Sequence, residues 1–402
     1  NEYLNQEIEF VAQVKTDPSK TSSGNYSFTA QLLTFNAADK SFKVRTPIRI
    51  ISKKSIELLP GQKISAVATA IKSKEARVAA LVIVNGEISI LTKPSGWASA
   101  LGAIREGLRT NSGDGDAGAL IPGMVLGDTS KQSAEFKEAM KRSGLTHLVA
   151  VSGANFAIVS TFVLWCMQFL IRRKNIRVIA TAAALLCFIA LVRPSPSVLR
   201  AAAMAAVLLS AQLGKRGSDS LPALGFAICA VVLGDPWQSR DAGFALSVLA
   251  TAGLLLLAPK IEEKLPTHQK LAGALAPPIA AMVFCAPILV ALSGYLSPMS
   301  VVANLLAAPA VAPITVLGFI AALVSPIAPW ITQVIIFLIR FPAGFITWVA
   351  HWVADFPVLT IHDGLIGFVL VASILLVLIL FKKHWKQSAA ILLIIVISLG
   401  WL

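Results

Sequence analysis

The chain has 402 residues, 56% of them apolar and only 14% charged, with 35 Lys and Arg against 21 Asp and Glu for a formal charge of +14. A soluble domain carries about a quarter charged residues, so this deficit, with a mean hydropathy of +0.74, excludes an ordinary cytosolic enzyme and points to a polytopic membrane protein. The charge is uneven: residues 1–146 hold 19 basic and 14 acidic side chains and no run long enough to span a bilayer. The chain opens on Asn1 without a signal-peptide pattern and is read as a segment of a longer protein. Cys166, Cys187, Cys229 and Cys285 all fall inside apolar runs, which suggests small buried residues rather than a disulfide framework or a zinc site.

Residues 5–92 alternate β-branched and aromatic residues with polar ones, predicting strands near 6–14, 26–34, 41–51, 63–71 and 77–91. Turn chemistry at Asp17-Pro18, Ser23-Gly24-Asn25, Pro60-Gly61 and Asn85-Gly86 separates or bends them. Five strands at this length fit a small all-β barrel of oligonucleotide-binding (OB) type, assigned to residues 1–93.

From Trp97 the period changes. Trp97, Leu101, Ile104 and Leu108 recur at helical spacing with Arg105 and Arg109 on the flank, a helix that lies on the barrel, on other protein or along the membrane surface. The Gly-rich stretch 111–118 reads as a loop. A second short helix begins near Asp128-Thr129-Ser130, with Thr129 and Gln132 at capping-box spacing, and stops near Gly144. Residues 94–146 are therefore assigned to interfacial helices and linker.

Residues 147–402 are expected to form a membrane all-α polytopic bundle of about ten segments, near 147–171, 176–193, 197–214, 221–234, 241–258, 271–294, 299–325, 330–355, 364–381 and 388–402. Basic residues collect in alternate connections: Arg172, Arg173, Lys174 and Arg177; Lys215 and Arg216; Lys260, Lys264 and Lys270; Lys382, Lys383 and Lys386. The opposite connections hold little beyond Arg193 and Arg240. By the positive-inside rule the first set is cytoplasmic, leaving the barrel and the C-terminus outside. This parity counts 330–355 as one helix broken at Arg340 and Pro342, as Pro309 and Pro313 break the segment before it.

A charge at the membrane centre costs from about 3 to more than about 10 kcal/mol, so each one needs a reason. Arg200 and Asp241 lie near the outer ends of their segments, close to Arg193 and Arg240; they form either a polar mouth or a pair that fixes two helices. Arg340 sits deeper and suits a polyanion path or a structural ion pair. Ser152, Gly153 and Asn155 place small and polar groups inside the first segment. A serine hydrolase built on Ser152 finds little support, because His147 lies on another helix face and no Gly-x-Ser-x-Gly elbow occurs, although His351 is a possible distant partner. There is no nucleotide-binding Gly-x4-Gly-Lys loop, and the five histidines, His147, His268, His351, His362 and His384, are scattered, so neither a metal nor another cofactor is expected.

Four ordered strings carry a resemblance. Arg142-Ser143-Gly144-Leu145-Thr146-His147-Leu148-Val149-Ala150-Val151-Ser152-Gly153-Ala154-Asn155 is similar to the signature of the ComEC family of DNA-uptake proteins. Leu126-Gly127-Asp128 precedes it, Pro194-Ser195-Pro196-Ser197-Val198-Leu199-Arg200-Ala201 follows, and Asp235-Pro236 with Asp241-Ala242-Gly243-Phe244-Ala245-Leu246-Ser247 completes the order. Many members have His shortly after the second Ser-Gly of this signature, where this chain has Ala154-Asn155, and Asn cannot carry a proton. Many also carry a metallo-β-lactamase-like domain whose His-x-His-x-Asp-His motif is absent from this sequence, so no nuclease activity is assigned.

The resemblance implies a channel that passes one strand of transforming DNA through the cytoplasmic membrane while its complement is degraded outside. It implies separate DNA-receptor and cytoplasmic ATPase partners. Ser152, Asn155, Arg193, Arg200, Asp241 and Arg340 are then candidates for the DNA path through the lipid-embedded region. In the barrel, residues 1–93 carry 13 basic against 8 acidic side chains, and Phe28, Phe42, Lys43, Arg45 and Arg49 are candidates for holding single-stranded DNA by stacking and charge. The competing expectation is that those aromatics fill the barrel core. A rival function is a solute transporter with the barrel as an extracytoplasmic scaffold.

Overall fold

The structure, a computed structural model, describes residues 5–21, 24–37, 40–54, 56–73, 75, 77–149, 151, 153–193, 196–213 and 220–380. The front is a closed barrel of β1 (Glu7–Val14), β3 (Tyr26–Ala37), β4 (Lys40–Ser52), β5 (Lys63–Lys72) and β6 (Ala80–Val84), with short strands β2 (Ser19–Lys20) and β7 (Ser89–Ile90) at its margin. β1 pairs with both β3 and β5, so the circuit β1-β3-β4-β6-β5 closes on itself; only the β4–β6 pairing is parallel. This is an OB-like barrel. Strict alternation in β1 and β5 sends Phe10, Ala12, Val14, Ile64, Ala66 and Ala68 inward, where they meet Phe28, Ile48, Ile50 and Val82. The fifth expected strand is bent into β6 and β7, with Asn85 and Gly86 between them.

Helices follow: α1 (Gly96–Asn111), α2 (Gly115–Leu126), α3 (Ala134–Arg142), α4 (Thr146–Val149), α5 (Gly153–Leu170), α6 (Lys174–Val192), α7 (Pro196–Leu213), α8 (Ser220–Gly234), α9 (Ala242–Leu256), α10 (Ala258–Lys264), α11 (Gln269–Ser293), α12 (Ser300–Val324), α13 (Pro329–Ala354) and α14 (Gly364–Leu380). A 3-10 turn, Pro236–Arg240, links α8 to α9, and a two-stranded antiparallel sheet of β8 (Tyr295–Leu296) and β9 (Leu359–Thr360) ties together the connections flanking α12 and α13.

The loop expected at 111–118 is shorter than the sequence implied, because α2 starts at Gly115. Every residue of α2 from Gly118 to Leu126 is buried, at the centre of a core shared with α1, α12 and α13. α1 is sandwiched: Leu101 and Leu108 enter that core, while a Cβ on Gly102 would lie 3.0 Å from Leu59 of the barrel. Trp97 departs from the expected stripe and is exposed. α3 begins later than expected, since its cap is Ser133, whose hydroxyl accepts from the Phe136 amide at 3.0 Å, and not Thr129.

The count of about ten spanning segments is corrected. Among the described residues, α6, α11, α12 and α13 are long and apolar enough to cross a bilayer; a fifth span results if α9 and α10, bent by 41°, count as one. The reason is length: a span needs about 20 residues, whereas α8 has 15 and the described apolar parts of α5, α7 and α14 are also short. Segment 147–171 is divided into α4 and α5, and 388–402 lies outside the described residues. α12 continues through Pro309 and Pro313, and α13 through Arg340 and Pro342, as single helices rather than broken ones.

Candidate functional site at the junction of barrel and helices

Arg105 lies between Leu101 and Leu108 on the buried face of α1, which carries its guanidinium inward to 7% exposure. Its Nε meets Asp17 Oδ2 at 3.0 Å, and its Nη1 donates to the carbonyls of Leu126 at 2.8 Å and Leu191 at 3.0 Å. Those carbonyls end α2 and α6, so one cation satisfies the negative ends of two helices at once. Burial lowers the Arg105 pKa and the Asp17 carboxylate opposes that shift, leaving the guanidinium charged.

Asp17 belongs to the turn between β1 and β2. Its Oδ1 accepts from Arg193 Nη2 at 3.1 Å, so the same carboxylate holds a second arginine. Arg193 caps α6 with φ +73° and ψ 140°, a conformation an L-residue adopts only under constraint. A second barrel contact lies nearby in the fold: Arg77 Nη1 meets Asp241 Oδ2 at 3.2 Å. Asp241 also caps α9, its Oδ1 accepting from the Phe244 amide at 2.8 Å.

Behind this ring of charges sits Arg200, 5% exposed. Its Nε donates to Ser247 Oγ at 2.9 Å and its Nη1 to Thr251 Oγ1 at 2.7 Å, with Met204 Sδ at 3.4 Å. Arg200 thus joins α7 to α9 through hydroxyls and does not pair with Asp241. Its other face packs on Gly153, the first residue of α5, where a Cβ would fall 2.5 Å from Nη2. Asn155, one turn into α5, is 1% exposed and donates from Nδ2 to the Met124 carbonyl of α2 at 3.0 Å. Gly127, at the end of α2, faces Val151 and the Val192 carbonyl.

The described residues of the strings 126–128, 142–155, 194–201 and 235–247 therefore meet in space beside the barrel. Sequence reasoning singled out Arg193, Arg200, Asp241 and Asn155, all of which stand at this junction. It overlooked Asp17, Arg77 and Thr251 as partners, and gave Arg105 no role, although its spacing from Leu101 and Leu108 already placed it on the buried face. Ser152 lies outside the described residues.

Arg340 stands elsewhere. It is exposed on α13 and donates from Nη2 to the Asp114 carbonyl at 3.1 Å, at the start of α2. Lys131 donates to the Gly113 carbonyl there at 2.8 Å, and His351 Nε2 meets Asp116 Oδ2 at 2.8 Å. The 12 residues of α2 separate this cluster from the junction by about 18 Å. Two grooves in the helical region, one along Ala157, Thr161 and Trp165 of α5 and one between Pro309 and Pro313 of α12 and Phe341 and Phe345 of α13, are open and apolar.

On the barrel, Phe28 is 1% exposed and belongs to the core, so the core reading fits it and stacking on a base does not. Phe42 stacks on Phe35 with ring centroids 5.0 Å apart. Arg49 is held by Glu75 at 2.8 Å and Ser27 at 3.3 Å. Lys43 and Arg45 are exposed and alternate along β4, beside the irregularity where Leu32 pairs with Thr46 and Thr34 with Lys43. Across the barrel, Lys54 lowers the pKa of Glu87 by hydrogen bond and charge. No group of three or more His, Cys, Asp or Glu arranged to hold a metal occurs among the described residues.

Comparison with known proteins identifies relatives. A family model described as Competence protein matches residues 124–388, more than half of the chain. The chain is 28% identical over 141 residues to the ComE operon protein 3 of Bacillus subtilis (strain 168), a match that covers 35% of this chain and 18% of that protein. No solved structure matches.

Proposed function

The chain belongs to the Competence protein family, and on that premise we propose that it carries single-stranded DNA across the bacterial cytoplasmic membrane during natural transformation. The observation that most supports this reading is the junction itself. A basic, OB-like barrel is docked on α1 and on the ends of α6 and α9, and described residues of the strings that carry the family likeness converge near it around a buried arginine. In this reading Lys43 and Arg45 offer the strand its first phosphate contacts, and the junction residues receive it next.

The orientation follows from charge. Arg193 and Asp241, which the barrel touches, lie at the ends of α6 and α9 away from Arg172–Arg177 and Lys260–Lys270. With those basic clusters in the cytoplasm, the barrel is extracytoplasmic. The expected outer position of the C-terminus falls outside the described residues and stays part of the proposal. A DNA receptor would deliver the strand to the barrel, and a cytoplasmic ATPase would supply the pulling force that a chain without a nucleotide loop lacks.

The solute-transporter reading draws on the apolar character of the two grooves. One experiment separates the two. The whole chain in nanodiscs is titrated with a labelled single-stranded oligonucleotide at several salt concentrations, and cells lacking the chain are complemented for transformation. Binding that weakens steeply with salt, with restored uptake, is expected; salt-independent or absent binding, with uptake restored by an unrelated route, sinks the DNA reading.

A further inference from the structure

α12 and α13 are each long and apolar enough to cross a bilayer, yet their contacts set both ends of the pair on one side of it. The base of the pair is fixed by α11. That helix runs antiparallel to α9, since Cys285 Sγ donates to the Leu246 carbonyl at 3.5 Å while Gly253 lies against the backbone of Ala280. Asp241 caps α9 and holds Arg77 of the barrel, so α11 ends on the barrel's side. β8 follows α11 directly and pairs with β9, which brings the entry to α12 and the exit from α13 together there.

The tip of the pair is on the same side. Ser325, at the end of α12, donates from Oγ to the Ile104 carbonyl of α1 at 3.4 Å and leaves no room for a Cβ on Gly107. Arg105, next to Ile104, holds Asp17 of the barrel and the Leu191 carbonyl of α6. α12 has 25 residues, about 37 Å of helix. Upright, it would carry Ser325 to the far face of the bilayer, out of reach of α1. α13 returns alongside it, with Thr332 Oγ1 donating to the Ala321 carbonyl at 3.3 Å.

The faces of α13 suit this placement. Ile336, Ile339, Ala343, Ile346 and Ala350 are buried in the core shared with α1, α2 and α12. On the opposite face Trp330, Phe337, Phe341, Phe345, Trp348 and Trp352 are all exposed and in line. Neighbouring rings touch, with centroids 5.4 Å apart for Phe337 and Phe341 and 5.9 Å for Trp348 and Trp352. Gln333, Arg340 and His351 mark the flank between these faces, where Arg340 donates to the Asp114 carbonyl and His351 meets Asp116. In an upright α13, Arg340 would stand about 15 Å past Trp330, at the centre of a hydrocarbon core about 30 Å thick. The fully exposed Asp114 carboxylate would share that depth, where charge is most costly.

We propose that α12 and α13 form a re-entrant hairpin that does not cross the bilayer, and that the aromatic face of α13 docks into the headgroup–acyl boundary of the leaflet on the barrel's side. Tryptophan is enriched at that boundary, and a helix with aromatic residues on one face and polar groups beside it lies in the interface with its apolar face about 5 to 10 Å deep. The charged flank then stays at headgroup level. Two crossings fewer leave the parity of the other segments unchanged, so the basic clusters keep their common side. The inference does not rest on the transport reading, since it concerns lipid and not the strand.

The first test places nitroxides in turn at Trp330→Cys, Phe341→Cys and Trp352→Cys of the whole chain, its four natural cysteines replaced by alanine, in phosphatidylcholine–phosphatidylglycerol nanodiscs. Collisions with oxygen and with a water-soluble nickel chelate read each depth. Three similar depths, about 5 to 10 Å below the phosphates, are expected. An upright helix separates successive sites by about 16 Å, so Phe341 deeper than both others by that amount overturns the hairpin. The second test keeps the natural cysteines and uses an impermeant maleimide on cells. Labelling of Gln333→Cys and Asp355→Cys from the same side as Lys43→Cys is expected; labelling of either from the side of Lys174→Cys overturns the hairpin. A disulfide-linked dimer through Phe341→Cys makes this face an interface between copies and overturns the docking to lipid. Oligonucleotide binding by the unsubstituted chain is read separately, so neither failure bears on the transport reading.

Discussion

Asp17 of the barrel reaches Arg105 of the first helix at 3.0 Å, and this contact joins the barrel to the helices at a buried charge. Asp17 holds Arg193 as well, so its carboxylate is the shared acceptor of two cations. Asp17→Asn leaves both arginines in place and removes the charge that compensates them. Taking one partner from a buried pair costs about 3 to 5 kcal/mol, and the 28% exposure of Asp17 places the effect at the low end, about 3 kcal/mol. The expected result is faster proteolysis at the 91–95 connection and a lower melting temperature for the barrel. An unchanged proteolysis rate would mean that the barrel is held by other contacts.

The barrel offers a separation of stability from charge. Phe28 is among the largest fully buried side chains, and Phe28→Ala is expected to cost about 3 to 5 kcal/mol through lost burial and the cavity left behind. Lys43→Ala with Arg45→Ala touches only exposed side chains and should leave the unfolding free energy within about 0.5 kcal/mol of the original. The double substitution should nevertheless lower the magnitude of the salt slope for single-stranded DNA by about 1.4, two phosphate contacts at about 0.7 each. Titration of both variants at three salt concentrations decides whether this face touches the strand.

How much of this was legible beforehand differs by element. The alternation in β1 and β5 is strict enough that the inward set could be read directly, and the turns at Asp17-Pro18 and Asn85-Gly86 fall where strands stop or bend. α2 was missed because it has no polar face from Gly118 onward: burial all round erases the 3.6-residue period, and its glycines imitate a loop. Arg200 and Asp241 stood out as costly charges in apolar surroundings, but their partners did not. Asp241 finds Arg77 across 164 residues, and no local pattern encodes such a pairing. Arg340 was misleading for a related reason, since its depth in a segment says nothing of which helix face it occupies.

Tyr295, in the β8–β9 strand pair outside the spanning helices, carries a pH prediction. Burial and the neighbouring Glu138 carboxylate push its pKa up to about 12 from 10.0, and Lys141 lies 5.3 Å from the ring centroid. The folded state therefore retains the phenolic proton over a range in which the unfolded chain loses it. Stability from this group is fully present below pH of about 10 and falls as pH rises towards 12. Spectrophotometric titration of the chain minus that of Tyr295→Phe should show a tyrosinate band appearing near pH 12; a band near 10 would place the hydroxyl in free solvent.

Arg193 combines a strained backbone with a useful side chain, and two substitutions separate them. Its φ of +73° with ψ of 140° falls where glycine is at home and other residues pay a conformational cost of about 1 to 3 kcal/mol. Arg193→Ala loses the bond to Asp17 and keeps the strain. Arg193→Gly loses the same bond and relieves the strain in the folded state, although the more flexible unfolded chain returns part of that gain. Glycine should accordingly be the more stable of the two by about 1 kcal/mol in denaturant unfolding, with both below the original chain. If alanine equals glycine, the positive φ at this position is not maintained in solution. In that event the Arg193 side chain reaches Asp17 from an ordinary backbone.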